Sequence, residues 1–308
     1  MSEAASKAST EQIGALMRRA TYGSLAVALI LVAVKLAAWF ATGSVSLLSS
    51  LIDSLLDGVA AAVNLLAVRQ ALAPPDREHR FGHGKAEPLA SLGQSAFIAG
   101  SAVLLLVQAM AHLLNPVPVE HVVAGLAVMG FAIVVTFLLL GYQRFVVRRT
   151  GSVLIGADAF HYRADLVLNL AVIVSLLLTV WLGSPYIDPV FGGLIAFWII
   201  YGAWGVAMGA ITQLMDHELP DEERARIRAI ALSHAEVRAV HDLKTRAAGP
   251  NSFIQVHLEM DGAMALADAH RIADEVEKLI LEAYPRAEII IHQDPEGIEE
   301  PRAAYPAR

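Results

Sequence analysis

Long uncharged runs of apolar residues fill the first 214 positions of the chain. The runs that contain no Asp, Glu, Lys or Arg are 20–34, 36–52, 88–119, 121–143, 166–187 and 189–215. A helix needs roughly 20 mostly apolar residues to cross a hydrocarbon core about 30 Å thick. The pattern therefore predicts six membrane-spanning helices, near residues 20–42, 44–71, 87–114, 120–146, 152–182 and 186–212. The second and fifth contain carboxylates and are the weakest by hydropathy, but omitting them would leave long apolar segments unpaired in lipid.

The pattern changes after Met215, where strands and amphipathic helices replace the apolar runs. The predicted elements are a helix that begins at Pro220, strands at Val240–Arg246 and Phe253–Leu258, a helix at 264–283 and a strand at Ala287–His292. The order α-β-β-α-β is typical of a small α+β unit of the ferredoxin-like type. We therefore expect a cytoplasmic N-terminal segment at 1–19, a six-span transmembrane domain at 20–214, a cytoplasmic α+β domain at 215–296 and a disordered tail at 297–308.

Basic residues mark alternate connections between the predicted spans. They precede span 1 and occupy the connections between spans 2 and 3 and between spans 4 and 5, whereas the opposite connections contain no Lys or Arg. Because basic residues favour the cytoplasmic side, this distribution predicts that both termini and the C-terminal domain are cytoplasmic. Lys35 lies near the predicted outer end of span 1, where its long side chain is expected to extend toward the membrane surface.

Composition narrows the possible functions. The chain is 56% hydrophobic and 17% charged, which is too apolar for an ordinary soluble enzyme. Its 308 residues include no cysteine, so disulfide scaffolds, thiolate metal sites and a cysteine nucleophile are excluded, and any metal must be held by His, Asp and Glu. The net charge of −7 is unfavourable for binding nucleic acid, and the C-terminal part carries most of it, with 11 basic against 19 acidic residues in 215–308.

Ionisable residues inside two apolar spans are the strongest functional signal. Asp53 and Asp57 lie in span 2, and His161 and Asp165 lie in span 5; each pair is spaced i, i+4 and therefore shares one helix face. An ionisable group at this depth costs at least about 2.5–3.5 kcal/mol. If these groups only linked helices, three acids and one histidine would leave a buried negative charge without a Lys or Arg of matching depth. A divalent cation or protons would neutralise it, and the four groups suit a tetrahedral zinc site.

Six short segments carry a family resemblance. They are SLLSSLIDSLLD (46–57), HRFGHGKAEPLASL (79–92), HYRAD (161–165), LMDHELPDEE (214–223), HDLKTR (241–246) and IIIHQDP (289–295). In this order and at these separations they resemble the cation diffusion facilitator family, in particular its bacterial zinc and ferrous-iron efflux branch, from about residue 13 to residue 296. The resemblance implies a homodimer of six-span subunits in the lipid bilayer of the bacterial inner membrane, with a metallochaperone-like cytoplasmic domain. We expect a transporter and not an enzyme, with no nucleic acid partner, and no protein partner other than a second copy of the chain is evident from the sequence.

The resemblance also implies two sites in the membrane part. The transport site falls on the same four residues that the membrane argument selects, Asp53, Asp57, His161 and Asp165. A second site, in the connection between spans 2 and 3, would use Asp76, His79 and His83. Judged by the residues alone, these loop histidines are equally consistent with a solvated basic loop, because histidine suits several metals and also needs none.

In the cytoplasmic domain the resemblance implies a binuclear metal site at the dimer interface. Its residues would be His241 and His257 on one ion, His270 and His292 on the other, and Asp294 bridging the two. Lys85 and Asp216 match positions that form an interdomain charge pair. Such a pair is a candidate for coupling metal binding in the cytoplasmic domain to the packing of the membrane helices.

These observations predict a divalent cation/proton antiporter that exports metal from the cytoplasm by alternating access. Zinc is the expected substrate because the site combines one histidine with carboxylates, a ligand set that also tolerates Cd²⁺ or Fe²⁺. Zinc is further expected as a regulatory or structural ion, and protons as the counter-substrate. Two alternatives are a zinc-sensing membrane receptor without transport and an intramembrane metallohydrolase. The acids in the spans argue against the receptor, and the absence of an H-E-x-x-H motif argues against the hydrolase.

Overall fold

The computed structural model describes residues 3–43, 45–114, 122–182, 184 and 186–297. Six long helices come first: α1 (Glu3–Thr42), α2 (Val45–Ala71), α3 (Ala86–Leu114), α4 (Val122–Thr150), α5 (Val153–Leu182) and α6 (Ile187–Leu214). The chain continues with α7 (Asp221–Leu232), β1 (Ala239–Ala248), β2 (Asn251–Met260), α8 (Leu266–Ala283) and β3 (Ala287–Pro295). The predicted architecture of six helices followed by a small α+β domain is confirmed. Apart from Gly297, the predicted tail at 297–308 lies outside the described residues.

Helix α1 extends well beyond the predicted first span. It begins at Glu3 and continues without a break to Thr42, so residues before position 20 are helical as well. Hydropathy marks only the part of a helix that is suited to lipid, whereas backbone hydrogen bonding continues through polar residues at its end. The strands likewise extend two or three residues past their apolar cores, for example to Pro295 in β3.

The membrane helices expose apolar side chains on their outer surface. Five described helices, α1 to α4 and α6, have the length and composition needed to cross a membrane. Helix α5 has 30 residues, but its first half carries Asp158, Arg163 and Asp165. Leu104 on α3 and Phe137 on α4 are 65% and 67% exposed. An apolar surface of this kind suits contact with lipid, where the helices satisfy their own backbone hydrogen bonds.

Close packing joins α5 to α6, beside the α3–α6 pair. The buried cluster at this junction consists of Ile98, Ala102, Phe160, Ala164, Ile195, Ile199 and Ala203. A Cβ atom on Gly202 of α6 would lie 2.0 Å from the ring Cζ of Phe160. Phe160 is itself 7% exposed, and its ring centroid is 5.8 Å from that of Trp198. The ring therefore has little room to move, and the absence of a side chain at Gly202 is what allows the two helices to approach.

The C-terminal domain is a three-stranded sheet in the order β1-β2-β3, with two helices. Strands β1 and β2 form an antiparallel hairpin, whose turn contains Gly249 at φ +58°. Strands β2 and β3 are parallel, so α8 crosses over between them. The core of this domain is built from fully buried aliphatic side chains of both helices and of β2, namely Ile227, Ile254, Leu258, Ile272, Val276 and Ile280. Because this core lies on one face of the sheet, polar side chains of the strands can group on the other face.

We expect the Gly202→Ala substitution to destabilise the membrane helices by about 1–3 kcal/mol, because the added methyl group overlaps the Phe160 ring. Thermal unfolding of the detergent-solubilised protein measures the effect. Gly205→Ala, in the same helix, is the matched control: a Cβ there meets nothing within 4 Å, so its melting temperature should stay the same or rise slightly. Equal melting temperatures for the two variants would contradict this account of the α5–α6 contact.

Candidate metal sites

Helices α2 and α5 bring a histidine and two carboxylates together among the membrane helices. His161 Nε2 lies 3.0 Å from Asp57 Oδ1 and 3.7 Å from Asp165 Oδ2. Ligand atoms of the three residues all lie within 4.8 Å of one another. In a tetrahedral site with metal–ligand bonds of about 2.0–2.1 Å, neighbouring ligand atoms are about 3.3 Å apart. The two distances from His161 bracket this value, so the three side chains form a group that could hold one metal ion.

The fourth predicted residue, Asp53, lies one helical turn before Asp57 and outside this group of three. Its side chain is exposed. The nearby Lys35 of α1 does not extend toward the membrane surface, as its sequence position had suggested. Its ammonium donates hydrogen bonds to Ser54 Oγ (2.6 Å) and to the carbonyl of Ser50 (3.1 Å), both on α2, because these oxygens are within reach. A basic group thus lies beside the segment that carries the two aspartates.

A buried carboxylate that the sequence analysis missed, Asp158, connects four helices. It accepts hydrogen bonds from Ser24 Oγ of α1 (2.5 Å), from Asn64 Nδ2 of α2 (3.1 Å) and from Gln143 Nε2 of α4 (2.7 Å). Asp158 is 3% exposed, and Ser24, Asn64 and Gln143 are each at most 1% exposed. Asp158 precedes His161 by three residues, close to one turn of the helix. A carboxylate in an apolar span was the sequence signal that could have identified Asp158. It was missed because Asp158 belongs to neither of the i, i+4 pairs that were used to select site residues.

The connection between α2 and α3 forms a second group of potential ligands. The two oxygens of Asp76 approach two different rings: Oδ1 lies 3.3 Å from His79 Nδ1, and Oδ2 lies 3.2 Å from His83 Nε2. The two imidazole centroids are 4.6 Å apart. Gly82, at φ +79°, turns the backbone so that both histidines face the aspartate. The described residues offer no hydrogen-bond partner to the buried Nδ1 of His83.

The Asp76 side chain is held in its charged form by the loop itself. The backbone N–H groups of His79 and then Glu78 donate to Asp76 Oδ1, at 2.6 and 2.9 Å, and lower the pKa of this carboxyl below its usual value. Because a metal ligand must be deprotonated, this loop presents a carboxylate that is ready to bind a cation at neutral pH.

The register of the C-terminal sheet aligns three histidines in one row. His241 of β1 is directly opposite His257 of β2, and His257 is opposite His292 of β3. Side chains of paired residues point to the same face, as does that of Asp294, two residues after His292. Asp294 Oδ2 lies 3.1 Å from His241 Nε2 and 2.8 Å from His257 Nδ1, while Oδ1 lies 3.1 Å from His292 Nε2. One carboxylate, which is 6% exposed, thus faces three imidazole rings.

A further acidic residue, Glu259, approaches this cluster. Its Oε1 lies 2.7 Å from His241 Nδ1. Although both ring nitrogens of His241 are buried and near carboxylate oxygens, neither makes a hydrogen bond with any described residue, because the angles are unfavourable. Close oxygen and nitrogen atoms without hydrogen-bond geometry are the arrangement that a metal ion would satisfy. Glu259 could have been recognised from sequence, because in a strand it shares a face with His257.

The structure keeps His270 apart from this row within a single chain. His270 lies on α8 with its side chain 70% exposed, and its Nδ1 is 3.7 Å from Asp274 Oδ1. Of the predicted charge pair, Lys85 Nζ contacts the carbonyl oxygen of Leu214 at 3.4 Å, and Asp216 forms an ion pair with Arg246 at 3.2 Å. The proposed pairing of Lys85 with Asp216 stays a prediction.

We expect Asp158→Ala to destabilise the membrane helices by about 2 kcal/mol, because three interhelical hydrogen bonds lose their acceptor. Thermal unfolding in detergent is again the measurement. The matched control is Asp188→Ala in α6, which removes a carboxylate that accepts a hydrogen bond from Ser175 Oγ of α5. A loss for Asp158→Ala no larger than that for Asp188→Ala would show that the four-helix contact contributes no more to stability than a single interhelical hydrogen bond.

Comparison with known proteins identifies relatives along nearly the whole chain. The family model of the cation efflux transmembrane domain matches residues 22–215, and that of the cation efflux protein cytoplasmic domain matches residues 219–296. The chain is 46% identical over 282 residues to the cation-efflux pump FieF of Cronobacter sakazakii, which covers 92% of this chain and 94% of that protein. It is 45% identical over 285 residues to FieF of Escherichia fergusonii, covering 92% and 95%.

Among solved structures, the metal-bound C-terminal domain of the CzcD transporter from Thermotoga maritima is 28% identical. It matches 27% of this chain and 100% of its own, with a TM-score of 0.25. Together, the two consecutive family matches and the identity to full-length relatives show that this chain belongs to the cation diffusion facilitator family, as a multi-pass membrane transporter for the efflux of divalent metal cations and not an enzyme.

Proposed function

We propose that the protein exports Zn²⁺ from the cytoplasm in exchange for protons, with Asp53, Asp57, His161 and Asp165 as the transport site. The observation that carries this proposal is the position of His161 Nε2 between carboxylate oxygens of Asp57 and Asp165, at 3.0 and 3.7 Å. Asp53 is one turn away on the face of α2 that carries Asp57, and we propose it as the fourth ligand. Cd²⁺ and Fe²⁺ are the other candidate substrates.

The ligand chemistry supports exchange with protons. Imidazole and carboxylate groups bind metal only when deprotonated, so metal and protons compete for the same atoms. A site that faces the cytoplasm would load Zn²⁺ and release protons. The same site facing outward would take up protons, driven by the membrane gradient, and release the metal. This competition couples metal export to proton import. A site that held neither metal nor protons would carry uncompensated negative charge, so the change between the two orientations is favoured only when one of the two cations is bound.

The proposed topology places the C-terminal domain on the side from which the metal would be exported. The proposed arrangement has both termini in the cytoplasm, with residues 1–19 preceding the first crossing and the metal-binding domain at 215–296. The concentration of Lys and Arg in the connections α2–α3 and α4–α5 supports this orientation. If metal is exported, it enters the transport site from the side on which this domain lies in the proposed arrangement, where the domain can sense its concentration.

For the cytoplasmic domain we propose a homodimer whose metal site regulates or stabilises the subunits. Ligand atoms of His241, His257 and Asp294 lie within 4.8 Å of one another, as a first ion would require, and His292 approaches the other oxygen of Asp294 at 3.1 Å, as proposed for the second ion. His270 lies outside this group, so its proposed role on the second ion requires a second subunit. The described chain places many acidic side chains in this domain, so cations would also reduce repulsion between two copies.

The group formed by Asp76, His79 and His83 is proposed as an additional site for the same metal. Its partial exposure, with His79 at 56% and Asp76 at 52%, supports rapid exchange with solvent. A site of this kind would deliver or sense metal rather than occlude it.

The central prediction concerns Zn²⁺ uptake into proteoliposomes with an imposed pH gradient. We expect Asp57→Ala to reduce gradient-driven flux by at least about 100-fold, because it removes a charged ligand of the proposed site. Asp188→Ala removes an intramembrane carboxylate whose hydrogen bond is to Ser175, and should retain near wild-type flux. If the wild-type protein binds Zn²⁺ but moves none in either gradient direction, the carrier proposal fails and a zinc receptor becomes the better explanation.

The cytoplasmic site should affect regulation more than transport itself. We expect His241→Ala to slow Zn²⁺ flux by only about 5-fold, as for a typical coupling between separate sites. It should also lower the number of Zn²⁺ ions retained by the purified full-length protein, as measured by elemental analysis after gel filtration. His217→Ala, in which the ring contacts only the backbone of Glu218 among the described residues, is the control and should change neither quantity. Loss of flux as severe as in Asp57→Ala would contradict a regulatory role.

A further inference from the structure

A groove with a volume of about 650 Å³ lies between α4 and α5 and takes no part in the proposed metal sites. Its apolar walls include Phe137 and Leu140 of α4 and Leu166 of α5. Small residues leave the space between the helices open, namely Gly141, Gly156 and Ala159. A Cβ at Gly141 or Gly156 would meet nothing within 4 Å, in agreement with an open surface there. The groove therefore has apolar walls and enough open space to bind a narrow apolar group.

Three arginines also line this groove: Arg144, Arg148 and Arg163. All three side chains are exposed, and no Asp or Glu is among the described residues that line the groove. In the described ranges of the chain, none of the three forms an ion pair; Arg163 instead lies 5.4 Å from the ring centroid of Phe160. Three positive charges beside apolar walls favour the binding of a ligand that has both an anionic group and an apolar part.

Arg148 and Arg144 lie nearer the connection between α4 and α5 than the apolar walls of the groove do, and Arg163 lies at about the level of Leu140. Helices α4 and α5 are joined by only Gly151 and Ser152, so they run antiparallel from this connection. Arg148 lies close to the connection, and Arg163 lies ten residues into α5, about 15 Å along the helix axis. Phe137 and Leu166 lie farther from the connection than the arginines do. A ligand that extends from the connection would meet Arg148 and Arg144 first, and the aliphatic side chains begin at the level of Arg163.

The face of α5 on which Arg163 lies is opposite to the proposed transport site. At 100° per residue, Arg163 is rotated about 200° from His161, whereas Asp165 is rotated only about 40° from it. A guanidinium directed out of the protein at this depth is costly in bare hydrocarbon, but its long side chain can reach a phosphate at the membrane surface. The α4–α5 connection lies on the side proposed as cytoplasmic, where the leaflet contains anionic lipids.

We propose that this groove binds one anionic phospholipid. The phosphate interacts with Arg144, Arg148 and Arg163, and an acyl chain lies along Phe137, Leu140 and Leu166. The arginines form charge-assisted hydrogen bonds with phosphate oxygens, for which the planar guanidinium is well suited. Bound lipid holds α4 against α5 and thereby supports the helix that carries His161. The proposal does not depend on which metal is transported or on coupling to protons.

Native mass spectrometry of the purified full-length protein in detergent tests the proposal, with phosphatidylglycerol and phosphatidylcholine of the same acyl chains added at equal concentrations. We expect retained phosphatidylglycerol to exceed phosphatidylcholine, and its affinity to fall about fivefold for each arginine removed, in Arg144→Gln and in Arg163→Gln. Arg149→Gln is the matched control. It removes the same charge from the same helix end, but Arg149 lies over Phe145 and does not line the groove, so its affinity should equal that of the wild type.

Several outcomes would overturn the proposal. Equal retention of the two lipids would show that the groove does not select anionic headgroups. A loss in Arg149→Gln as large as in the other variants would indicate diffuse attraction rather than a site. Displacement of phosphatidylglycerol by millimolar inorganic phosphate would identify a soluble anion as the occupant. Loss of dimer in Arg144→Gln or Arg163→Gln without loss of lipid would assign this face to a second copy of the chain. Arg144→Lys and Arg163→Lys, which keep the charge, should recover most of the binding if the glutamine variants fold poorly.

Discussion

The hydrogen bonds around Asp158 are the constraint on which the arrangement of the membrane helices depends. Helices in lipid gain little from burying apolar surface against one another, because lipid is as apolar as their side chains. Polar contacts therefore decide which helices meet and in which rotation. Asp158 joins α1, α2, α4 and α5 through Ser24, Asn64 and Gln143. Tyr162 adds a hydrogen bond to the carbonyl of Ser24, so two successive turns of α5 are bound to α1. With the rotation of α5 fixed in this way, His161 has to face α2.

In the C-terminal domain, the register of the strands positions the metal-ligand candidates. A shift of one residue between β2 and β3 would move His292 and Asp294 to the opposite face of the sheet and dissolve the cluster. Ile289 and Ile291 of β3 oppose such a shift, because they pack against the apolar core on the other face of the sheet and would be moved away from it. Apolar residues thus position the polar ones. Both sites are assembled from separate elements whose relative placement is set by interactions that do not touch a metal.

Much of this organisation could be predicted from the sequence, and the exceptions have physical reasons. The six helices and the small sheet follow from hydropathy and periodicity, and the family follows from the ordered motifs. The i, i+4 rule places His161 beside Asp165, but it is blind to Asp158, whose partners come from three other helices. The grouping of Asp76 with two histidines depends on the turn at Gly82, which spacing alone does not fix. His270 lies apart because α8 directs it away from the strands, a matter of tertiary packing.

Helix α5 carries several charged and polar groups although it lies among membrane-spanning helices. Its charged and polar groups point in two directions: Asp158 and His161 toward other helices, and Arg163 away from them. The inward groups are accommodated because neighbouring helices supply hydrogen-bond donors and because cations or protons can neutralise the carboxylates. Among the described residues, the outward Arg163 lies over the Phe160 ring and forms no ion pair, so its charge depends on what surrounds the protein. A helix this polar is therefore stable in the bilayer only as part of the assembled bundle, which links its folding to the same charges that make a cation site possible.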